Sequence, residues 1–207
     1  PEVVEEAAAK GCSLIVAHHP VIFSPLKKLG SRDVPFQLVQ SGISAICMHT
    51  NLDAADGGVN DVLAEKLGLT QLSPLTEEKI GRIGTLKCEI PLVEFTRFVI
   101  ESLGCNGLRY TDCGKPVHRV AVGGGACGDY IPKAIAAGCD TFVTSDLRYH
   151  DFLDTTALNL IDAGHFPTED VICVPLADYL QKVFPAATVI KTTAHSSEVI
   201  QYCIKEK

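Results

Sequence analysis

Short apolar runs alternate along the chain with amphipathic, Ala- and Glu-rich stretches, and small turn residues separate the two. Glu2 to Lys10 predicts a helix stopped by Gly11, and Leu14-Ile15-Val16-Ala17 is the kind of continuous apolar run that a buried parallel strand carries. Pro20 cannot continue a ladder, so His18-His19 mark the carboxyl end of that strand. Asp33 to Ser41 predicts a second helix with Gly42 as its stop. Ile43 to Met48 predicts the next buried strand, running into His49-Thr50-Asn51-Leu52-Asp53. Asp56-Gly57-Gly58 reads as a turn and Val59 to Leu67 as a helix closed by Gly68. Between about 75 and 120 the pattern is less regular: a strand over Ile80 to Ile90, an amphipathic helix over Leu92 to Leu103 and a strand over Val117 to Val122.

Beyond Gly123-Gly124-Gly125 the alternation sharpens. A helix is expected near Tyr130 to Ala137, a strand over Thr141 to Thr144 ending in Ser145-Asp146, and a strand over Thr156 to Ile161 that closes in Asp162-Ala163-Gly164-His165. Pro167-Thr168-Glu169-Asp170 has the composition of a helix start, with an early proline and acids at the positive end of the dipole. A helix over Val171 to Val183, a strand over Ala187 to Lys191 and a final short polar stretch complete the pattern. Helix, Gly-Cys and strand occur in that order at residues 9–16 and again at 136–143. Two similar facing lobes and the common grammar of helix-to-strand turns both account for that echo.

Alternating helices and buried strands predict an α/β protein with a mostly parallel sheet, which places ligands beyond the carboxyl ends of its strands. At that edge the chain carries His18 and His19 after one strand, Asp53 after a second, and His165 after a third, with Glu169 four residues on at a helix start. Each residue has a plainer role available: an isolated packing or surface histidine, a helix cap at Asp53, a first-turn acid at Glu169. Their joint occurrence at strand ends points to metal. Five protein ligands suit two ions with a bridging carboxylate better than one, and mixed histidine–carboxylate ligation suits zinc, iron or manganese rather than calcium. Two ions roughly 3.5–4 Å apart lower the pKa of a bridging water and clamp attacking and leaving oxygens, so hydrolysis is the expected reaction class. His49 and His150 are the candidates for proton transfer or substrate contact; His118 and His195 are background. The glycine turn is either an anion-binding nest or a close-packed helix start, and it matches neither GxGxxG nor GxxxxGK[ST].

Composition narrows the rest. The 207 residues are 46% hydrophobic and 21% charged, with a formal net charge of −7. No Lys/Arg stripe longer than Lys27-Lys28 occurs, so no nucleic-acid partner is expected. No apolar run approaches the roughly 20 residues of a membrane span. The opening PEVVEEAAAK has neither the basic nor the apolar region of a signal peptide, and its start inside a helix suggests a missing N-terminal piece. Nine cysteines, widely spaced and without a CxxC pair, are expected as reduced core thiols of a cytoplasmic protein.

The runs LIVAHHP (14–20), HTNLD (49–53), SDLRYH (145–150) and DAGHFPTE (162–169) occur in the same order as in a known family. The chain resembles the NGG-one-interacting-factor-three family, also catalogued as GTP cyclohydrolase 1 type 2 homologs or dinuclear-metal-centre hexameric proteins. The resemblance implies that His18 and His19 each bind a different divalent ion, that Asp53, His165 and Glu169 complete the set, and that Glu169 bridges. It also implies a single bilobal domain over 1–207, with lobes near 1–75 and 120–207, the metal cleft between them, and a toroidal homohexamer. The stretch from Leu75 to Val120 has no room for the domain that some members insert there, and the family's first helix and strand are lacking. Ser145 replaces a usual glycine, and Pro167 a usual small residue. The family name implies GTP ring opening, for which Arg148 and Lys27-Lys28 are the only basic candidates near the ligands.

Overall fold

The computed structural model describes residues 1–195 and 199–203. The expected polar stretch at the chain's end therefore lies partly outside the described residues, at 196–198 and 204–207.

Two sheets organise the fold. The smaller pairs β1 (Leu14–Ala17) with β2 (Ser44–Cys47) in parallel, in the register Leu14 opposite Ser44 through Ala17 opposite Cys47. Helices α1 (Glu2–Ala9) and α2 (Val34–Ser41) cover one face of it, burying Val4, Ala7, Leu38 and Ile43 against Ile15 and Val21. Every residue of β2 is nevertheless exposed, so the fully buried strand expected there is not found. Among the described residues, no β2 side chain joins the apolar cluster under α1 and α2.

The larger sheet has six strands in the order β3-β4-β6-β7-β8-β5, from β3 (Thr70–Pro74), β4 (Arg82–Ile90), β5 (Arg109–Thr111), β6 (Val117–Val122), β7 (Thr141–Thr144) and β8 (Asn159–Asp162). Strands β6, β7 and β8 are parallel, while β3, β4 and β5 join antiparallel on the flanks. The fold is thus α/β, but its main sheet is mixed rather than mostly parallel. Strands β3 and β5 are short and polar, so no apolar period announces them. Period-two alternation sorts the central strands onto two cores. Val120, Val122, Val143 and Ile161 face α4 (Val59–Lys66) and α5 (Leu92–Leu103). Ala121, Phe142 and Leu160 face α6 (Ile131–Ala136) and, at Phe152, α7 (Tyr149–Asp154).

Five helix-to-strand turns share one hydrogen-bond pattern. The residue after a left-handed glycine donates its N–H to the carbonyl five residues back: Cys12 to Ala7, Ile43 to Leu38, Leu69 to Ala64, Cys105 to Ile100 and Cys139 to Ala134. The repeated Gly-Cys motif is therefore turn grammar common to both sheets. Beyond α9 (Cys173–Val183) the strand expected over 187–191 does not form: Gln181 bonds Ala187 O and Val189 N, and Lys191 pairs with Asp170. Only Cys105, Cys127 and Cys139 of the nine cysteines are buried, and Cys47 is exposed with its strand. No described helix is long and apolar enough to cross a membrane.

Candidate metal centre

The ligand-type residues converge, from the ends of two sheets rather than along one rim. His18 and His19 follow β1. Asp53 lies one turn into α3 (Thr50–Ala54), a short helix after β2 where the sequence pattern assigned no element. His165 opens α8 (His165–Glu169) just beyond β8, after Gly164 at φ +89°, and the helical i,i+4 spacing brings Glu169 back to its imidazole. A small apolar cluster of Val59, Val62 and Ile172, with Leu52 and Leu176 against it, packs the Asp53 segment onto the chain after α8.

Glu169 is the hub. Its Oε1 stands 3.1 Å from His165 Nε2 and 3.5 Å from His18 Nε2, and its Oε2 stands 2.9 Å from His19 Nε2. His18 Nε2 is also 3.6 Å from Asp53 Oδ1, and the Nε2 atoms of His19 and His165 are 3.4 Å apart. Two rings are oriented from behind. His18 Nδ1 lies 2.8 Å from Met48 O, an atom that only accepts, so Nδ1 carries the proton and Nε2 offers its lone pair to the site. His165 Nδ1 donates in the same way to Asp146 Oδ2 at 2.6 Å. Asp146 adopts a left-handed backbone, φ +55°, uncommon outside glycine.

The electrostatics are those of a crowded, half-buried cluster. Burial pushes the Glu169 carboxyl up, but the His165 imidazole at 3.1 Å and the His18 imidazole at 3.5 Å outweigh it and hold it at about 2. His165 is raised to about 9 by its hydrogen bond to Glu169, with burial opposing and Asp146 assisting. Burial alone would lower His18, but the nearby carboxylates of Glu169 and Asp53 turn the shift upward. Burial lowers His19 and raises Asp53.

The donor set fits a divalent cation. His18 Nε2 and Asp53 Oδ1 are buried without a hydrogen-bond partner, which costs free energy unless something else satisfies them. Donors placed 2.0–2.2 Å from a tetrahedral ion stand about 3.3–3.6 Å from one another, close to the 3.1–3.6 Å separations among His18, His165, Asp53 and Glu169 Oε1 and between His19 and His165. Two groups of side chains could each hold an ion: His19, His165 and Glu169, and His18, His19 and His49, with donor atoms within 4.8 Å of one another in each. His49 thus joins the cluster, its exposed ring stacked on His18 at 5.0 Å and 17°. His150 lies exposed on α7 with its ring edge-on to Tyr149, and among the described residues no contact joins it to His18, His19, Asp53, His165 or Glu169.

The chain is matched over residues 1–199 by the family model Duf34/NIF3 (NGG1p interacting factor 3). It belongs to that family. Among its relatives, a GTP cyclohydrolase 1 type 2 homolog from Clostridium acetobutylicum is 34% identical over 186 residues, covering 81% of this chain and 68% of the relative. One of the same name from a Nostoc species is also 34% identical, over 87% of this chain and 74% of the relative. The crystal structure of a Bacillus cereus protein related to NIF3 shares the fold, with a TM-score of 0.89 at 24% identity over 97% of this chain and 86% of that one. A Staphylococcus aureus hypothetical protein superposes with a TM-score of 0.85 at 26% identity, over 98% and 84%.

Within this family member the glycine turn is a spacer, not an anion nest. The amides of Gly123, Gly124 and Gly125 are used by Val143 O, Asn60 Oδ1 and Thr168 Oγ1. A Cβ on Gly125 would fall 2.2 Å from Glu169 Oε1. The two basic candidates for a triphosphate are poorly placed for one: Arg148 is engaged by Asp151 at 2.9 and 3.0 Å, and Lys27-Lys28 sit in an exposed loop. The sequence pattern assigned no role at the centre to Asp146, Asn60 or Thr168, and of the two readings of the glycine turn the close-packed one is found. The one visible signal was Asp146, an acid at the carboxyl end of a predicted strand.

Proposed function

We propose that His18, His19, Asp53, His165 and Glu169 hold two divalent ions, of zinc, iron or manganese, and that the centre hydrolyses a small or nucleotide-like substrate. One observation carries the proposal: a single half-buried carboxylate, Glu169, meets His18 and His165 with one oxygen and His19 with the other. That is the arrangement a bridging ligand needs. Bound ions would supply Lewis acidity and lower the pKa of water at neutral pH.

The chain's own residues prepare the site for that chemistry. Met48 O and Asp146 hold the His18 and His165 rings with their Nε2 lone pairs inward, and the Asp146 carboxylate makes His165 a more basic ligand. Loading must displace the extra proton that the Glu169 and Asp146 carboxylates favour on His165. His49, exposed beside His18, is the group we assign to proton transfer, because it alone of the two candidates touches the cluster. The relatives' name, GTP cyclohydrolase 1 type 2 homolog, is compatible with this reaction class, and the family resemblance extends the proposal to a cytoplasmic homohexamer with the centre in a cleft between two lobes. The net charge of −7 supports a partner other than nucleic acid.

A second function draws on a specific feature. Two open cavities among the described residues, of about 460 and 450 Å³, are lined by residues such as Glu89, Pro91 and Lys115 or Asp61, Ser73 and Arg82, away from His18, His19, Asp53, His165 and Glu169. A metal-organised interaction module needs no substrate cavity at the ions.

Metal analysis of the purified protein should give about two ions per chain, and His19→Ala or Glu169→Ala should lower that number. Unchanged metal content in both variants would remove the assignment. Nucleotides, phosphodiesters and cyclic amides assayed with manganese or zinc separate the hydrolase from the module, which turns over none of them.

A further inference from the structure

Two buried polar side chains outside the ligand set connect the two halves of the centre. Asn60, 1% exposed on α4, donates from Nδ2 to the backbone carbonyl of Asp53 at 3.0 Å and accepts at Oδ1 the Gly124 N–H at 2.9 Å. Thr168, fully buried on α8, accepts the neighbouring Gly125 N–H at 3.0 Å, and its hydroxyl is 2.9 Å from both Gly164 O and His165 O. A continuous path therefore runs from the backbone of Asp53 through Asn60, two glycines and Thr168 to the backbone of His165. Its middle presses on the centre, because a Cβ on Gly125 would meet Glu169 Oε1 at 2.2 Å and His165 Nε2 at 3.2 Å.

The residue types suit that task and few others. A primary amide of this length offers a donor to one backbone group and an acceptor to another; aspartate would set a carboxylate against the Asp53 carbonyl, and leucine would leave both groups buried and unpaired. The turn is closed from its other side too, since Thr144 Oγ1 and the Ser145 N–H both donate to Gly125 O at 3.0 Å. Both ends of the path are residues that carry ligand side chains.

We propose that Asn60 and Thr168 are positioning residues that set the separation between the His18–Asp53 side and the His165–Glu169 side of the centre, acting through the Gly123–Gly125 turn. The proposal rests on the dinuclear reading of the site, and its test keeps the two apart. The full chain would be loaded with manganese, alone and as Thr168→Val, Thr168→Ser, Asn60→Leu and Thr96→Val. Metal stoichiometry, the electron-spin-resonance signature of coupled manganese ions and the thermal midpoint would be measured on each. Thr168→Val and Asn60→Leu should weaken at least one ion about 10–100-fold, as loss of groups behind the ligands does elsewhere, and should abolish the coupled signal. Thr168→Ser should restore both. Thr96→Val removes another buried hydroxyl, in α5, whose partner is Val93 O at 2.9 Å, and should lose stability while keeping the signal.

Two coupled ions in Thr168→Val, or no rescue by serine, overturns the positioning role while leaving the dinuclear site standing. A wild-type chain that takes up no ion pair overturns the site, and this inference with it. Should Asn60→Leu fail to fold, the valine and serine pair at 168 decides.

Discussion

The sheet that ends in His18 and His19 has two strands and helices on one face; the sheet behind His165 and Glu169 has six strands and helices on both. The contrast shows in burial. Leu14 and Ile46 of the small sheet are 44% and 49% exposed, while every residue of β7 and β8 is buried. One centre is therefore assembled from a thin, one-sided layer and a closed, two-sided one. Cooperative local opening is favoured where few apolar contacts are lost, so the paired histidines sit on the looser partner. Ligation across the gap would tie the looser half to the firmer one.

Four experiments bear on that difference. The largest effect is expected in the big sheet: Phe142→Ala removes a fully buried ring and should cost about 3–5 kcal/mol, whereas Ile46→Ala should stay within about 0.5 kcal/mol. Chemical denaturation of both variants checks this, and similar costs would erase the contrast. Gly125→Ala comes next. Its φ of +66° and the 2.2 Å approach to Glu169 mean that a methyl must displace the carboxylate, for roughly 1–3 kcal/mol of strain; metal content should fall with stability, and a fully loaded variant would show that the turn tolerates a side chain.

Hydrogen exchange probes the halves without mutation. Amides of β1 and β2 should exchange faster than those of β6, β7 and β8 in metal-free protein, and adding zinc or manganese should slow the former more. Equal protection in the free state would contradict the comparison. The smallest effect concerns the tie between α1 and the tail. Glu6 pairs with Lys10 at 2.6 Å and accepts hydrogen bonds from Thr192, Thr193 and Ala194. Led by the Lys10 contact, these hold its carboxyl well below the ordinary 4.5. A depressed folded pKa stabilises above the unfolded value and is lost as pH falls through the folded one. Protection of residues 192–194 should therefore weaken progressively below about pH 4.5, and E6Q should weaken it already at neutral pH and flatten the profile. An unchanged profile in E6Q would exclude the carboxylate as the anchor.

Element order was largely legible in the chain because helix stops and apolar runs are local signals. Gly11, Gly42, Gly68 and Gly138 each end a helix in the left-handed region, where glycine is the least strained residue, and each was readable as punctuation. What escaped were elements whose side chains carry no period: the edge strands β3 and β5, the five-residue α3 and the six-residue α7. The misplaced strand at 187–191 had an apolar look but no ladder to join. At the centre, five ligand-type side chains were recognisable from chemical type and strand-end position. Asn60 and Thr168 were not, since a buried amide and a buried hydroxyl resemble any others until their partners are known.

By itself, the sequence determined which imidazoles and carboxylates stand after which strands, because that follows from local pattern and chain order. Tertiary structure decided that those strands belong to two sheets and that Asp146, Met48 and the glycine turn hold the rings and the carboxylate from behind. The physical reason is range: periodicity and capping act within a few residues, whereas the Asp146–His165 bond and the Asn60–Gly124 bond join residues 19 and 64 positions apart, and only packing brings those together.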